Sequence, residues 1–234
     1  MKPGRDALRA ILNRCGLSLE SHPLEQLWTY HQMLREANAR LNLTRIYNFE
    51  NMVLKHYVDS LLVLKFVEPP SPLIDMGSGP GLPGIPLKIA RPDVRMILAE
   101  PRGARAEFLR EVCDRLGLQE IEVYAHKLGP GYAGQVAGII SRAVGEISET
   151  LDRVASCLVP RGRMIFMKGP ECDTEIEEAA RRQPTLFRLE ADHAYAIPGT
   201  PHQRRLVVYQ RLEAEAPVRS RRSGPVPAFE GPVR

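Results

Sequence analysis

Apolar side chains in the first third of the chain recur every three or four positions, which is the spacing of an amphipathic helix. This spacing predicts three helices, which are Asp6–Asn13, a second one capped by Ser21 with Pro23 in its first turn, and a third one capped by Asn48 that continues to Phe66. The proline-rich run 68–72 cannot continue a helix and forms a stiff joint. We therefore expect residues 1–67 to form a helical cap.

From Leu73 onward, short apolar runs alternate with amphipathic stretches. The predicted strands are Leu73–Asp75, Arg95–Glu100, Ile121–Tyr124, Gly138–Ser141, Arg163–Met167, Leu186–Glu190 and Leu206–Gln210. The predicted helices are Ile85–Ala90, Ala104–Leu116, Glu146–Cys157 and Thr174–Arg181. This alternation predicts an α/β core over residues 73–212, with a mainly parallel sheet covered by helices on both faces. No helix separates the last two strands, so we expect an antiparallel hairpin at the sheet edge.

Composition narrows the protein class but does not decide it. Apolar residues make up 44% of the chain, enough for a core, and residues 213–234 have the composition of a disordered tail. No stretch resembles a secretory leader or a membrane span, so a cytoplasmic protein is expected, and a monomer is the default. The net charge of +4 is mild. The 26 arginines suit phosphate and base contacts, although a GC-rich genome explains them equally well.

The four cysteines show no metal-ligand spacing, either among themselves or with a histidine. We expect reduced, buried thiols and no metal site.

The strongest chemical signal is a glycine-rich run directly after the first predicted strand, Leu73-Ile-Asp-Met-Gly-Ser-Gly-Pro-Gly-Leu-Pro-Gly-Ile85. Glycines allow a sharp turn and let a ligand approach the main chain. Gly79, Gly81 and Gly84 match the spacing of the dinucleotide fingerprint. Asp75 at the strand end would repel a pyrophosphate, however, and suits the ammonium group of a methionine moiety. Pro80, Pro83 and Pro86 also remove amide donors that a phosphate would use.

Glu100 supplies the second half of a nucleoside site. It ends the next predicted strand, where a carboxylate can accept hydrogen bonds from both ribose hydroxyls. NAD and S-adenosylmethionine both need that contact, so Glu100 indicates a nucleoside without choosing between them. The alternative is a surface acid beside Arg102 or Arg105.

These motifs have a counterpart in a known family. The chain from about Leu41 to Gln210 resembles the RsmG (GidB) family of small-subunit rRNA guanine-N7 methyltransferases. The matching stretches are Asn42-Leu-Thr44, His56-Tyr-Val-Asp-Ser-Leu61, Asp75-Met-Gly-Ser-Gly-Pro-Gly-Leu-Pro-Gly-Ile-Pro86, Arg105 with Phe108-Leu109, Ile140-Ser-Arg-Ala143 and Lys168-Gly169. The resemblance implies a Rossmann-like class I methyltransferase core with a helical N-terminal cap. It also implies S-adenosylmethionine as methyl donor and 16S rRNA of the small ribosomal subunit as acceptor.

The resemblance also implies site residues. Gly77 and Leu82 match the family's cofactor loop, and Arg142 matches its Ser-Arg-Ala arginine beside the cofactor and the reaction centre. With the residues singled out above, the expected cofactor-binding set is Asp75, Gly77, Gly79, Gly81, Leu82, Glu100, Leu128, Gly129 and Arg142. Arg142 and Lys127 are the candidates for positioning the target nucleotide or its phosphate. The candidate RNA contacts are Asn42, His56 and Arg105.

The chain departs from the family pattern at two places. Gly103-Ala-Arg105 lacks the family's lysine, and Lys127-Leu-Gly129 replaces an arginine followed by an acidic pair. Lysine is not equivalent to arginine where a planar fork is used. For Asn42 and His56, the residues alone favour simpler roles, a helix-terminating cap and a partly buried hydrogen-bonded side chain.

Guanine N7 carries a free lone pair and no proton, so its methylation needs alignment rather than a general base. This agrees with the absence of an evident base or catalytic dyad in the sequence. The target base must be unpaired, because the N7 edge of an A-form helix faces a deep, narrow groove. A ribosomal subunit or assembly intermediate is therefore the expected substrate. The alternatives are an NAD-dependent oxidoreductase, a noncatalytic RNA-binding module and a methyltransferase acting on a small molecule.

Overall fold

The computed structural model describes residues 2–142 and 144–213 and contains a seven-stranded sheet. The strands are β1 (Leu73–Met76), β2 (Met96–Ala99), β3 (Ile121–Tyr124), β4 (Val136–Arg142), β5 (Leu158–Lys168), β6 (Phe187–Ala196) and β7 (Gln203–Arg211). Their order across the sheet is β3-β2-β1-β4-β5-β7-β6. The first five strands are parallel, whereas β7 is antiparallel to β5 and β6 is antiparallel to β7. The predicted parallel sheet with an antiparallel edge hairpin is confirmed.

The helices lie where the apolar periodicity predicts them, within a few residues. They are α1 (Arg5–Arg14), α2 (Ser21–Leu41), α3 (Phe49–Met52), α4 (Asp59–Leu62), α5 (Gly84–Ala90), α6 (Gly103–Arg115), α7 (Ile147–Val154) and α8 (Asp173–Arg182). A π-helical segment, Val53–Val58, joins α3 to α4, and a 3₁₀ turn, Val63–Lys65, follows α4. The predicted third helix is thus one helical run interrupted by wider turns.

The two predicted caps have different outcomes. Asn48 caps α3 as expected, because its side-chain oxygen accepts a hydrogen bond from the Asn51 amide at 3.0 Å. The prediction for Ser21 was wrong. Glu20 is the N-cap, and its carbonyl accepts the first helical bond from the Leu24 amide, so Ser21 is already the first helical residue. Pro23 still lies in the first turn, where its missing amide costs nothing.

The helical cap, together with α5 and α6, covers one face of the sheet. Leu8 of α1, Leu27 of α2 and Tyr57 belong to the same hydrophobic cluster as Leu98 of β2 and Ile140 of β4. A second cluster on the other face is covered by α7 and α8. Helices therefore lie on both faces, as predicted, and the cap is packed against the core. The division of the chain at 68–72 stays a prediction.

All four cysteines are buried and free, as the sequence predicted. Within residues 2–142 and 144–213, no helix is both long enough and apolar enough to cross a membrane. The predicted disordered tail lies outside the described residues except for Glu213, and so does Ala143 of the Ser-Arg-Ala motif.

Candidate active site

The strand order reverses between β1 and β4, which lie side by side at the centre of the sheet. Met76 at the end of β1 is paired with Ser141 on one side and with Ala99 of β2 on the other. Ligands of open α/β sheets bind outside the carboxyl ends of the strands at such a reversal. The loops that follow β1, β2 and β4 therefore define the place of the site.

The glycine run forms a tight loop between β1 and α5. Gly77, Gly79 and Gly81 all have positive φ, of 74°, 57° and 104°. A Cβ atom at Gly77 would lie 2.7 Å from Val144, and one at Gly81 would lie 2.5 Å from Ile85. These two positions require glycine for both conformation and space. No such contact crowds Gly79, where the nearest atom to an added Cβ is 3.9 Å away.

Asp75 lies under this loop and is fully buried. Its Oδ2 accepts a hydrogen bond from the Gly84 amide at 2.9 Å, which ties the start of α5 to the end of β1. Its Oδ1 has no hydrogen-bond partner among the described residues. Burial raises the pKa of Asp75 to about 7, although Arg142 lies near enough to oppose that shift. A buried oxygen without a partner is costly, so it fits a cationic donor supplied by a ligand.

Glu100 follows β2 and is also buried. One of its carboxylate oxygens accepts from the Gly79 amide at 2.9 Å, and the other accepts from the Arg102 amide at 3.0 Å. The alternative of a surface acid was therefore wrong, because the partner is the main chain of Arg102 and not a guanidinium group. A carboxylate has about four acceptor positions, so two remain for ribose hydroxyls. The prediction that Glu100 binds a nucleoside stays open.

A tyrosine of the cap also holds the glycine loop. The hydroxyl of Tyr30, on α2, donates a hydrogen bond to the carbonyl of Pro80 at 2.8 Å. Tyr30 is fully buried and packs against Tyr57, whose hydroxyl is 3.0 Å from Nδ1 of His31. Sequence reasoning did not select Tyr30, because a tyrosine on the apolar face of a helix is indistinguishable from an ordinary core residue.

We expect Tyr30→Phe to weaken binding of S-adenosylmethionine about 3- to 10-fold, because the half-buried Pro80 carbonyl loses its hydrogen-bond donor and the loop loses its anchor. Titration calorimetry on both proteins measures the change. Tyr209→Phe is the matched control, since that buried hydroxyl has no partner among the described residues. Equal affinities for the Tyr30→Phe variant and the unchanged protein would show that Tyr30 does not position the loop.

Beside the loop lies a cationic pocket of about 390 Å³, at the carboxyl ends of β4 and β5. Its charged and polar lining comes from Lys55, His56, Asp59, Arg142, Lys168 and Arg204. Lys168 is compensated by Glu175 at 2.6 Å. The other cations outnumber the single carboxylate of Asp59, so the pocket suits an anionic group such as a nucleotide phosphate.

Arg142 is fixed within this pocket by groups of the cap. Its Nη1 donates to the carbonyl of Lys55 at 3.1 Å and lies 3.7 Å from Oδ2 of Asp59. Nε of Arg204 lies 3.6 Å from the same oxygen, and the Tyr195 hydroxyl donates to Oδ1 of Asp59 at 3.1 Å. Burial raises the pKa of Asp59, and the two arginines oppose this shift. One buried carboxylate therefore orients two guanidinium groups.

The three candidate RNA contacts occupy different positions. His56 borders the pocket, where burial lowers its pKa to about 3 and keeps the ring neutral. Its Nε2 lies 2.9 Å from Oγ1 of Thr44, which agrees with the simpler role of a buried hydrogen-bonded side chain. Asn42 is the left-handed C-cap of α2, also the simpler role. Arg105 is half-buried and donates to the Asn42 carbonyl at 3.4 Å, so these two residues adjoin each other.

The residues after β3 lie apart from the pocket. Lys127 is exposed, and β3 is the third strand from β4, so about 14 Å separates the two strands. Leu128 is buried in the core, and the Gly129 carbonyl accepts a hydrogen bond from the Cys157 thiol at 3.2 Å. A ligand contact by Leu128 would therefore come from its main chain. The structure does not bring Lys127 together with Arg142.

Comparison with known proteins identifies the family. The model of the GidB family, rRNA small subunit methyltransferase G, matches residues 23–203. The chain belongs to this family. The predictions of the family, of a methyltransferase and of S-adenosylmethionine as its methyl donor are thereby confirmed.

Three relatives carry the name ribosomal RNA small subunit methyltransferase G, the first two with the suffix 2. That of Syntrophobacter fumaroxidans is 54% identical over 210 residues, which cover 90% of this chain and 42% of the relative. That of Bdellovibrio bacteriovorus is 38% identical, and the match covers 89% of this chain and 82% of the relative. That of Syntrophotalea carbinolica is 35% identical, and the match covers 88% of this chain and 98% of the relative. The chain thus spans less than half of the first relative and most of the other two.

Solved structures confirm the class I methyltransferase fold. A methyltransferase from Pyrococcus furiosus has a TM-score of 0.56 at 13% identity, over 83% of this chain and 100% of that one. The ribosomal protein L11 methylase of Lactobacillus delbrueckii subsp. bulgaricus has a TM-score of 0.52 at 16% identity, over 72% of this chain and 81% of that one. At these identities the likeness concerns the fold alone, and the roles of the individual site residues stay predictions.

Proposed function

We propose that the chain transfers a methyl group from S-adenosylmethionine to N7 of a guanine in 16S rRNA. The observation that carries this proposal is the meeting of two complementary sites at the ends of β1 and β4. Asp75, under the glycine loop, has a buried oxygen without a hydrogen-bond partner among the described residues, which suits the ammonium of the cofactor. Arg142, at the end of β4, lines the cationic pocket, and that pocket suits an RNA phosphate.

The proposed methyl transfer requires no proton transfer by the protein. When bound, S-adenosylmethionine supplies a sulfonium methyl, to which the N7 lone pair forms a C–N bond as the C–S bond breaks. N7 carries no proton, so no residue has to remove one. The pocket matches this demand, because His56 is neutral with its Nε2 beside Thr44, and Asp59 is held by Tyr195 and two arginines. The residues of the chain act by positioning the base and excluding water.

We assign the orientation of the target nucleotide to Arg142, whose fork is fixed by the Lys55 carbonyl and by Asp59. Lys55 and Arg204 add charge for a phosphate. Lys127 stays a candidate through the family resemblance alone. Leu128 and Gly129 are proposed to contact the adenine side of the cofactor. Asn42, at the end of α2 in the cap, and Arg105, on the adjoining α6, are proposed to contact RNA.

The N7 edge of a paired guanine lies in a deep, narrow groove that side chains cannot reach. We therefore propose that the target is an unpaired or flipped guanine, presented by the small ribosomal subunit or an assembly intermediate. The chain is proposed to act as a monomer in the cytoplasm, where these particles are assembled.

The test is incubation of the purified protein with methyl-labelled S-adenosylmethionine and either 30S subunits or naked 16S rRNA from a strain that lacks the modification. Nucleoside mass spectrometry should find the label in 7-methylguanosine. Cofactor binding without labelled RNA would favour a small-molecule methyltransferase, and loss of cofactor binding as well would favour a noncatalytic RNA-binding protein. Equal labelling of a short duplex RNA would contradict the requirement for an unpaired base.

A further inference from the structure

An exposed tyrosine directly follows a residue that lines the cationic pocket. The side chain of Tyr47 is 64% exposed, the highest value among the large apolar side chains of the described residues. The residue before it, Ile46, lines the pocket together with Lys55 and Arg142. Consecutive Cα atoms are about 3.8 Å apart, so the backbone of Tyr47 directly adjoins a residue of the pocket lining.

The segment that carries Tyr47 is held rigidly by hydrogen bonds. The side chain of Asn38 accepts from the Thr44 amide at 2.8 Å and donates to the Thr44 carbonyl at 3.0 Å. Thr44 in turn accepts from the Ile46 amide at 3.1 Å and contacts His56. Arg35 donates to the carbonyl of Tyr47 itself. None of these bonds uses the tyrosine ring, which is therefore presented to solvent on a fixed backbone.

The surroundings of Tyr47 are positively charged. Arg35 and Arg45 are exposed beside it, and Lys55 lies in the pocket. None of the salt bridges formed within residues 2–142 and 144–213 involves these three cations. The acid nearest in sequence, Glu50, is already paired with Arg14 at 2.5 Å. This charge is available to phosphates on either side of the ring.

We propose that Tyr47 is a stacking platform for an unpaired RNA base next to the guanine that enters the pocket. An exposed aromatic ring among uncompensated cations is the arrangement with which proteins bind single-stranded nucleic acid, since the ring takes a base and the cations take the backbone. The inference rests on the proposed function and deepens it. It assigns to Tyr47 the recognition of a single-stranded segment, which a rigid duplex would not provide.

The test compares Tyr47→Ala, Tyr47→Leu and Tyr47→Phe in steady-state methylation of unmodified 16S rRNA or 30S subunits. Because stacking on one base is worth about 5- to 150-fold in affinity, we expect Tyr47→Ala to raise the KM for RNA at least about fivefold. Tyr47→Leu should resemble Tyr47→Ala, since it keeps apolar area without a π face, and Tyr47→Phe should restore binding. The affinity for S-adenosylmethionine should not change.

Leu189→Ala is the matched control, because Leu189 is also a large exposed apolar residue, 41% exposed, but lies on the edge strand β6 and not on the pocket. An unchanged KM for RNA in Tyr47→Ala, or full rescue by leucine, would overturn the stacking role while leaving the methyltransferase reaction intact. If the unchanged protein methylates no RNA, the proposed function fails instead. Filter binding of the same RNA to the unchanged protein and the four variants then still decides whether Tyr47 contributes to RNA binding.

Discussion

Asp75→Asn is expected to weaken the binding of S-adenosylmethionine by about 10- to 100-fold. Asparagine keeps an oxygen for the Gly84 amide but lacks the negative charge that the free Oδ1 offers to an ammonium group. A hydrogen bond to a charged group is worth roughly 1.5–3 kcal/mol, which corresponds to this loss. Titration calorimetry on the two proteins measures it. Unchanged affinity in the variant would show that the cofactor ammonium is bound elsewhere.

The same substitution should not harm the ligand-free fold at pH 8. Burial raises the pKa of Asp75 to about 7, whereas an aspartate in the unfolded chain titrates near about 3.9. Between these values the folded protein holds the extra proton, so its free energy of unfolding falls as the pH rises from about 4 to 7. Asp75→Asn lacks this contribution. Urea unfolding at pH 5 and pH 8 measures the free energy of unfolding of both proteins. The difference between variant and unchanged protein should shift in favour of the variant by a few kcal/mol, in order of magnitude, from pH 5 to pH 8.

Cofactor binding should show the complementary pH dependence. Protonation of Asp75 removes the charge that attracts the ammonium, so the affinity of the unchanged protein should fall as the pH drops below about 7. Asp114→Asn, at an exposed position of α6 with no salt bridge among the described residues, is the control for loss of one negative charge and should leave both measurements unchanged. A variant at Asp75 that is less stable than the unchanged protein at pH 8 would contradict the cost assigned to the buried carboxylate.

Local periodicity predicted nearly every element, because helices and buried strands must each present apolar groups at their own spacing. The periodicity did not predict the exact ends of some elements. Ser21 is a good cap by type, yet the helix begins one position earlier. Strand β5 begins before its predicted start and β6 ends after its predicted end. These extra segments carry polar residues such as Arg161 and His193, which interrupt the apolar pattern. Their length is fixed by pairing with neighbours, which periodicity does not record.

The cofactor loop could be predicted because its chemistry lies in one stretch of sequence. The pocket beside it could not, because it is assembled across the whole chain. Asp59 and Tyr195 are 136 positions apart and share one hydrogen bond, and Arg204 joins them from β7. In the sequence, Asp59 resembles a residue that satisfies a neighbouring backbone group or arginine, and the structure shows that it serves two arginines. The exposed position of Lys127 likewise follows from strand order, which spacing alone leaves open.

Arg142→Lys is expected to lower kcat for RNA methylation by about 100-fold at saturating S-adenosylmethionine. Lysine keeps the charge but has one nitrogen in place of three. It therefore cannot contact the Lys55 carbonyl and Asp59, as Nη1 of Arg142 does, and still offer a further nitrogen to the nucleotide. A shift of the target base by about 1 Å is enough to cost about 100-fold when the reaction depends on alignment. Single-turnover rates at saturating RNA and cofactor measure the effect on the methyl transfer itself.

Arg163→Lys is the matched control, because this β5 arginine forms a two-pronged pair with Glu190 and does not line the pocket. It should leave kcat unchanged. The division between kcat and KM then separates two roles of Arg142. A loss confined to the KM for RNA would mean that Arg142 binds the substrate and the transition state equally. A loss in kcat at saturating RNA means that the guanidinium held by Asp59 aligns N7 with the methyl group, the one task that a reaction without proton transfer leaves to the protein.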